Sequence, residues 1–233
     1  MGYAAPMRLN ADFSARAAFH AARIPWVPSP MAGVERRMLD RIGEEVARAT
    51  SIVRYAPDSH FSAHRHGGGE EFLVLEGVFQ DEHGDYPAGY YIRNPPTSTH
   101  TPGSKAGCTI FVKLCQFASE DRSHVRIDTR KMPFLPDRNR AGVEVMPLFQ
   151  DADEYVRLER WAPGAAISLP IPGGAELLVI EGSIEESGER FEPQSWLRLP
   201  AGAGLRAEAG SAGCKVWMKT GHLACVRGAT APA

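Results

Sequence analysis

His64-Arg65-His66-Gly67-Gly68-Gly69-Glu70-Glu71-Phe72-Leu73-Val74-Leu75-Glu76-Gly77 is the stretch that decides the fold. Two imidazoles at i and i+2 share a face on a β-strand, whose side chains alternate with a period of two; a helix would splay them. Glu70 enters a strand after the triple-glycine turn, and His100 follows a further turn over 95–99. Two neutral nitrogens, a carboxylate and a third nitrogen arriving from three strands suit a divalent transition metal. His20, His60, His124 and His222 stand outside this pattern and read as solvated or core-satisfied, and His83 reads as a turn residue.

The surrounding text recurs. Ile24-Pro25-Trp26-Val27-Pro28 and Ala32-Gly33-Val34-Glu35 return as Met132-Pro133-Phe134-Leu135-Pro136 and Ala141-Gly142-Val143-Glu144, 108 or 109 residues on. Arg54-Tyr55-Ala56-Pro57 matches Arg160-Trp161-Ala162-Pro163, Leu73 to Gly77 matches Leu178 to Gly182, and Gly107-Cys108 matches Gly213-Cys214, at offsets of 105 or 106. Five matches in one order at nearly constant spacing mark an internal duplication. On this basis the chain divides into an N-terminal arm (1–23), a first copy (24–117), a linker (118–131), a second copy (132–221) and a C-terminal tail (222–233).

Composition supports an all-β reading. In 233 residues, 23 Gly and 18 Pro punctuate short strands and would break long helices. Segments such as Ser51 to Tyr55, Phe72 to Leu75 and Thr109 to Leu114 are short, apolar and rich in β-branched and aromatic residues, as strands are. Glu82 to Asp85 and Ser187-Gly188 read as equivalent hairpin turns. Helix is expected only at Asp12 to Ala22 and Val34 to Ile42. The balance of 26 Lys and Arg against 28 Asp and Glu leaves no positive surplus for phosphates, so nucleic acid is not an expected partner. Cys108, Cys115, Cys214 and Cys225 show no CxxC spacing and read as reduced thiols. Arg8, Asp12 and Arg16 interrupt the N-terminus, so no secretory signal is expected, and no run approaches the roughly 20 apolar residues of a membrane span. A cytoplasmic protein without membrane partners is expected.

His64-x-His66-x3-Glu70-x6-Gly77, together with Gly89-x5-Pro95 and His100 five residues beyond, resembles the two motifs of the cupin superfamily. That resemblance implies two tandem cupin barrels (double-stranded β-helix, jelly-roll) produced by the duplication, with one divalent metal held by His64, His66, Glu70 and His100. Glu71 rivals Glu70, but adjacent strand residues face opposite sides, and the three-residue spacing after His66 favours Glu70. The chain departs from the pattern at Asp58 and Thr97, where Gly is usual, and at Ser104, where Asn is usual. The text from Gly69 to Phe79, with Arg93-Asn94-Pro95-Pro96, is similar more narrowly to the cupin domain of ChrR-type anti-sigma factors, over Ile24 to about Arg126. In those proteins a separate helical domain carrying CxxC binds the sigma factor, and its signature is lacking here. Aligning the second copy places Pro170, Pro172 and Arg206 at the histidine positions and Ala175 opposite Glu70, so one metal per chain is expected.

Two functions follow from the resemblance. A small-molecule or oxidant sensing and regulatory protein would hold zinc, whose usual four ligands close the site. A dioxygenase acting on a diketone or aryl ketone would hold iron or manganese, whose six-coordination leaves positions open. Tyr91, Arg93, Lys113 and Gln116 are candidate polar groups around such a centre, with outward solvated side chains as the alternative. No residue is singled out as a catalytic acid or base. Homodimerisation is a superfamily expectation that the duplication would satisfy within one chain.

Overall fold

The computed structural model describes residues 7–20 and 23–228. Among them there is no α-helix; β-strands dominate, with a short 3-10 turn at Thr129–Lys131. The chain forms two compact units. The first takes Pro25–Lys131 with residues up to Ala11 and from Arg227 onward; the second takes Asp12–Ile24 and Met132–Val226.

In the first unit the main sheet runs Arg8–Leu9, Val34–Ile42, Arg48–Tyr55, Cys108–Leu114, Glu70–Asp81, Tyr90–Asn94, Val125–Asp128, all antiparallel. The second repeats the order from the second position on, as Val143–Gln150, Tyr155–Trp161, Ala203–Thr220, Ala175–Glu186, Trp196–Leu199, Ala17–Phe19, with Leu135–Pro136 paired to Val143–Gln150 as Val27–Pro28 is to Val34–Ile42. The duplication reaches upstream of Ile24 and Met132. Asp121 accepts a hydrogen bond from Ser123 N, as Asp12 does from Ser14 N, 109 residues earlier. Behind these turns, Arg93 lies over Phe117 and Arg198 over Phe13.

Val34–Ile42 is a strand, not the expected helix. Its Glu, Arg, Met and Leu residues favour helix intrinsically, but pairing on both sides, with Val27–Pro28 and with Arg48–Tyr55, overrides that weak preference. Ala17–Phe19 is likewise a strand, at the edge of the second sheet; Ala21 and Ala22 lie outside the described residues. Both hairpins close on two-residue turns. Asp81 pairs with Gly84 and Glu186 with Glu189, and Ser187 and Gly188 both have positive φ, as a type I′ turn requires.

Each unit has its own core. Val34, Tyr55, Phe72, Val74, Phe79 and Ile110 pack in the first, and Trp161, Ile171, Leu177, Phe191, Leu205 and Val216 in the second. The second core is bordered by a buried ion cluster in which Glu159 accepts from Arg140 at 2.9 Å on each carboxylate oxygen, from Arg157 Nε at 2.6 Å and from Trp161 Nε1 at 2.7 Å. Burial alone would raise the Glu159 pKa, but the Arg140 hydrogen bonds and the Arg157 charge outweigh it and hold the carboxylate below its ordinary range. A depressed folded pKa contributes stability above the unfolded value, and that stability disappears as pH falls through the folded value. Glu159→Gln should therefore unfold at lower urea than the parent at pH 7, by roughly 3 kcal/mol, with the gap narrowing toward pH 3; a pH-independent gap would contradict this account.

The first motif ends in glycine for a steric reason. Gly77 and its counterpart Gly182 both have φ near +70° and stand in register with Cys108 and Cys214, close to a shift in the strand pairing. A Cβ at Gly77 would lie 2.1 Å from Gly107 O, and one at Gly182 would lie 2.0 Å from Gly213 O. Gly77→Ala and Gly182→Ala should each cost at least about 2 kcal/mol in urea unfolding.

Candidate metal centre

Strand pairing assembles the site. His64–Arg65 runs antiparallel to Thr99–His100, with His64 directly opposite His100. His66 extends the ladder through its N–H to Ser98 O and its carbonyl to Thr97 N. Thr97 has φ +79° and Asp58 has φ +58°, so both occupy left-handed positions where glycine is ordinarily favoured. Ser104 closes its turn by donating to Val78 O at 2.6 Å.

The three imidazoles stand around one point. Their ligating atoms all lie within 4.8 Å of one another, and ring centroids are 4.7 to 5.1 Å apart. Glu70 Oε2 lies 3.6 Å from His66 Nε2 and 3.4 Å from His100 Nε2. Neither contact is a hydrogen bond, and both Nε2 atoms are buried without a partner. An unsatisfied buried nitrogen costs about 1–3 kcal/mol, so two aimed into one space beside a carboxylate form a donor set suited to an electrophile. A divalent cation fits that donor set.

Outer contacts prepare the nitrogens. His64 Nδ1 lies 3.0 Å from Ser62 O; a carbonyl only accepts, so Nδ1 carries the proton and Nε2 is left with its lone pair. His100 Nδ1 faces Asp81 Oδ2 at 3.4 Å, the carboxylate–histidine arrangement that orients a ligand. Burial lowers the His66 pKa and keeps that ring neutral. Burial works the same way on His100, but Asp81 and the charges of Glu70 and Glu82 overcome it and raise its pKa. Asp81 itself is held below its ordinary range, since the His100 and His83 contacts outweigh the effect of burial. Nothing in the sequence pattern marks Asp81; only the meeting of the hairpin with the 99–104 segment brings it to His100.

Glu71 lies on the opposite face from Glu70. It accepts from Tyr91 Oη at 2.7 Å and faces Arg93, which also donates to Asp121 at 2.9 Å. Lys113 donates to Thr50 Oγ1 at 2.9 Å, and Gln116 to Ala49 O at 2.8 Å. Tyr91, Arg93, Lys113 and Gln116 are thus buried structural groups on the far side of the sheet, neither around the histidines nor in solvent. The arrangement is duplicated: Glu71 registers with Arg93 and Lys113, as Glu176 does with Arg198 and Lys219.

His64, His66 and Glu70 border a cavity of about 460 Å³ whose apolar wall includes Val34, Val53, Phe61, Ile110, Val112 and Leu114. Arg36, Arg41 and Arg65 also line it, and the sequence pattern had not marked Arg36 or Arg41. In the second unit the strand register shifts the correspondence by one residue from the sequence alignment. His64 pairs with His100, and the matching pair is Leu169 with Leu205, not Pro170 with Arg206. Ile171 then stands for His66 and Ala175 for Glu70; Ile171, Ala175 and Leu205 are buried in the apolar core, with Leu169 packed against it. Among the described residues, the three histidines of the first unit are the cluster arranged to hold a metal.

Two consecutive antiparallel sheet units, one opening on a histidine-lined cavity, define a double jelly-roll of the bicupin class. The family model described as the ChrR cupin-like domain matches residues 14–118 and 122–224. The chain belongs to that family in both halves. No curated protein matches it significantly. Among solved structures it is similar to protein Ylba from E. coli (14% identity, TM-score 0.69, 91% of this chain and 93% of that one). It is also similar to an oxalate decarboxylase from Lactobacillus farciminis in complex with formate (10%, 0.63, 95% and 90%). A third is a bacterial pirin from Escherichia coli in complex with nickel(II) (13%, 0.62, 89% and 99%). No helix among the described residues is long and apolar enough to cross a membrane.

Asp81→Asn keeps the shape of the residue but removes the charge facing His100. It should weaken metal binding about 10- to 100-fold in competition with a chromophoric chelator, with an unchanged unfolding midpoint for the metal-free protein.

Proposed function

We propose that the first unit holds one divalent transition metal through His64, His66, Glu70 and His100 and presents it to a small molecule in the adjoining cavity. The observation that carries this reading is the pair of buried, partnerless Nε2 atoms of His66 and His100 facing Glu70. His64 is exposed and lines the cavity, so the fourth side of the centre is reachable from it. The nickel complex of the pirin and the formate complex of the oxalate decarboxylase support a metal and a small ligand in this fold. A bound cation would supply a Lewis-acid centre at the cavity floor. The chain's own part is to keep His66 neutral, orient His64 and His100 through Ser62 O and Asp81, and wall the ligand from water with apolar side chains.

The biological role we assign is sensing or regulation, with zinc as the first candidate metal; the second unit serves as scaffold because its ligand positions are apolar. Dioxygenase activity on a diketone or aryl ketone, with iron or manganese, is the second reading, favoured by the room for an organic molecule beside the histidines. Elemental analysis of protein purified without added metal separates them. About one zinc per chain supports sensing, about one iron or manganese supports the enzyme, and none after reconstitution overturns the site. His66→Ala and His100→Ala should abolish stoichiometric binding while His124→Ala retains it; full metal in either of the first two would disprove the assignment.

A further inference from the structure

Arg36 and Arg41 pose a problem that neither the fold nor the metal answers. Arg41 is 3% exposed, and its Nε donates to Gly43 O at 3.1 Å; its terminal nitrogens have no acceptor among the described residues. Arg36 lines the same cavity with its Nε buried and unpartnered. Its ion-pair partner among the described residues, Glu45 at 3.2 Å, is 64% exposed, so that pair is weak and easily replaced. Desolvation first, and then repulsion from Arg36, lower the pKa of Arg41, and the charges of Glu45 and Glu44 offset that only in part. Fork-shaped donors left with open hydrogen-bonding positions beside an apolar wall are suited to a carboxylate.

The charge of the cavity points the same way. Three guanidiniums, Arg36, Arg41 and Arg65, line it against two carboxylates, Glu45 and Glu70. A dication bound at Glu70 would make the balance more positive still. At about 460 Å³ the space lies within the range of small-molecule pockets, and its lining sets His64, His66 and the three guanidiniums among apolar side chains.

We infer that the cavity of the first unit binds a small organic carboxylate with an aliphatic or aromatic body, its anionic group held by Arg41 and Arg36 in place of Glu45. The inference rests on the reading of this cavity as the ligand site, and it names the class of ligand. The apolar body lies against Val53, Phe61 and Ile110. Glu45 acts as an internal competitor that occupies Arg36 while the cavity is empty of ligand.

Calorimetric titration of the full chain, both metal-loaded and chelator-stripped, with phenylacetate and octanoate and with their neutral primary amides tests this. Both acids should bind and the amides should bind at least about tenfold more weakly, the loss expected for one charge-assisted contact. Arg41→Met should lose about tenfold in acid affinity with amide binding unchanged, and Glu45→Gln should gain affinity for the acids. Because Arg41 is buried, Arg36→Gln provides a second variant with the same expected direction, checked for folding by its unfolding midpoint. Equal binding of acids and amides, or undiminished acid binding in a folded Arg36→Gln protein, overturns the inference. Metal content measured on the same samples keeps the two claims apart. Selective acid binding in protein that never takes up metal would leave this inference standing and remove the metal, whereas full metal with no acid preference would do the reverse.

Discussion

Neighbouring residues on a β-strand must face opposite sides of the sheet, and that rule at Glu70 and Glu71 organises the first unit. Glu70 turns toward His66 and His100, while Glu71, one bond further on, joins Tyr91 and Arg93 behind the sheet. One face therefore carries the candidate chemistry, and the other carries a buried ionic ladder. A one-residue slip would exchange the two carboxylates and place the wrong one among the histidines. The register is held on both flanks, by Tyr90–Asn94 and by Cys108–Leu114, and the latter pairs Glu70 to Val74 without a shift.

The second unit shows what the scaffold retains without a metal. It keeps the order of the central strands, the positive-φ glycine, the two-residue hairpin and the Arg–Glu–Lys register, now Arg198, Glu176 and Lys219. At the positions of the four candidate ligands it has Leu169, Ile171, Ala175 and Leu205, which bury without polar cost. The ladder thus follows the architecture and the histidines do not. A core with every member of such a cluster apolar is stable without it, and these four positions are of that kind.

The first unit instead retains polar groups that its core does not need. Partnerless nitrogens on His66 and His100 are costs a purely structural strand would not keep, and Arg41 and Arg36 add desolvated guanidinium groups along the adjoining cavity. Local cost concentrated around one cavity is the pattern of a binding site. Asp81 belongs to the same group of residues, since it orients His100 from outside the cavity.

Sequence alone determined the features carried by identity and spacing. The duplication is written in five recurring segments, strands and hairpins in their alternation and turn residues, and the grouping of His64, His66 and His100 in intervals that a period of two makes meaningful. Tertiary pairing decided the rest. Val34–Ile42 became a strand because neighbours on both sides supply hydrogen bonds worth more than its helical preference. The facing of Tyr91, Arg93, Lys113 and Gln116 and the correct counterparts of the histidines in the second unit depend on register, which differs by a single residue from an ungapped alignment. Arg36 and Arg41 are ordinary strand arginines in the text of the chain. Only the packing of the strands around a cavity brings them to line an interior, because burial is a property of the packed surface and not of the residue type.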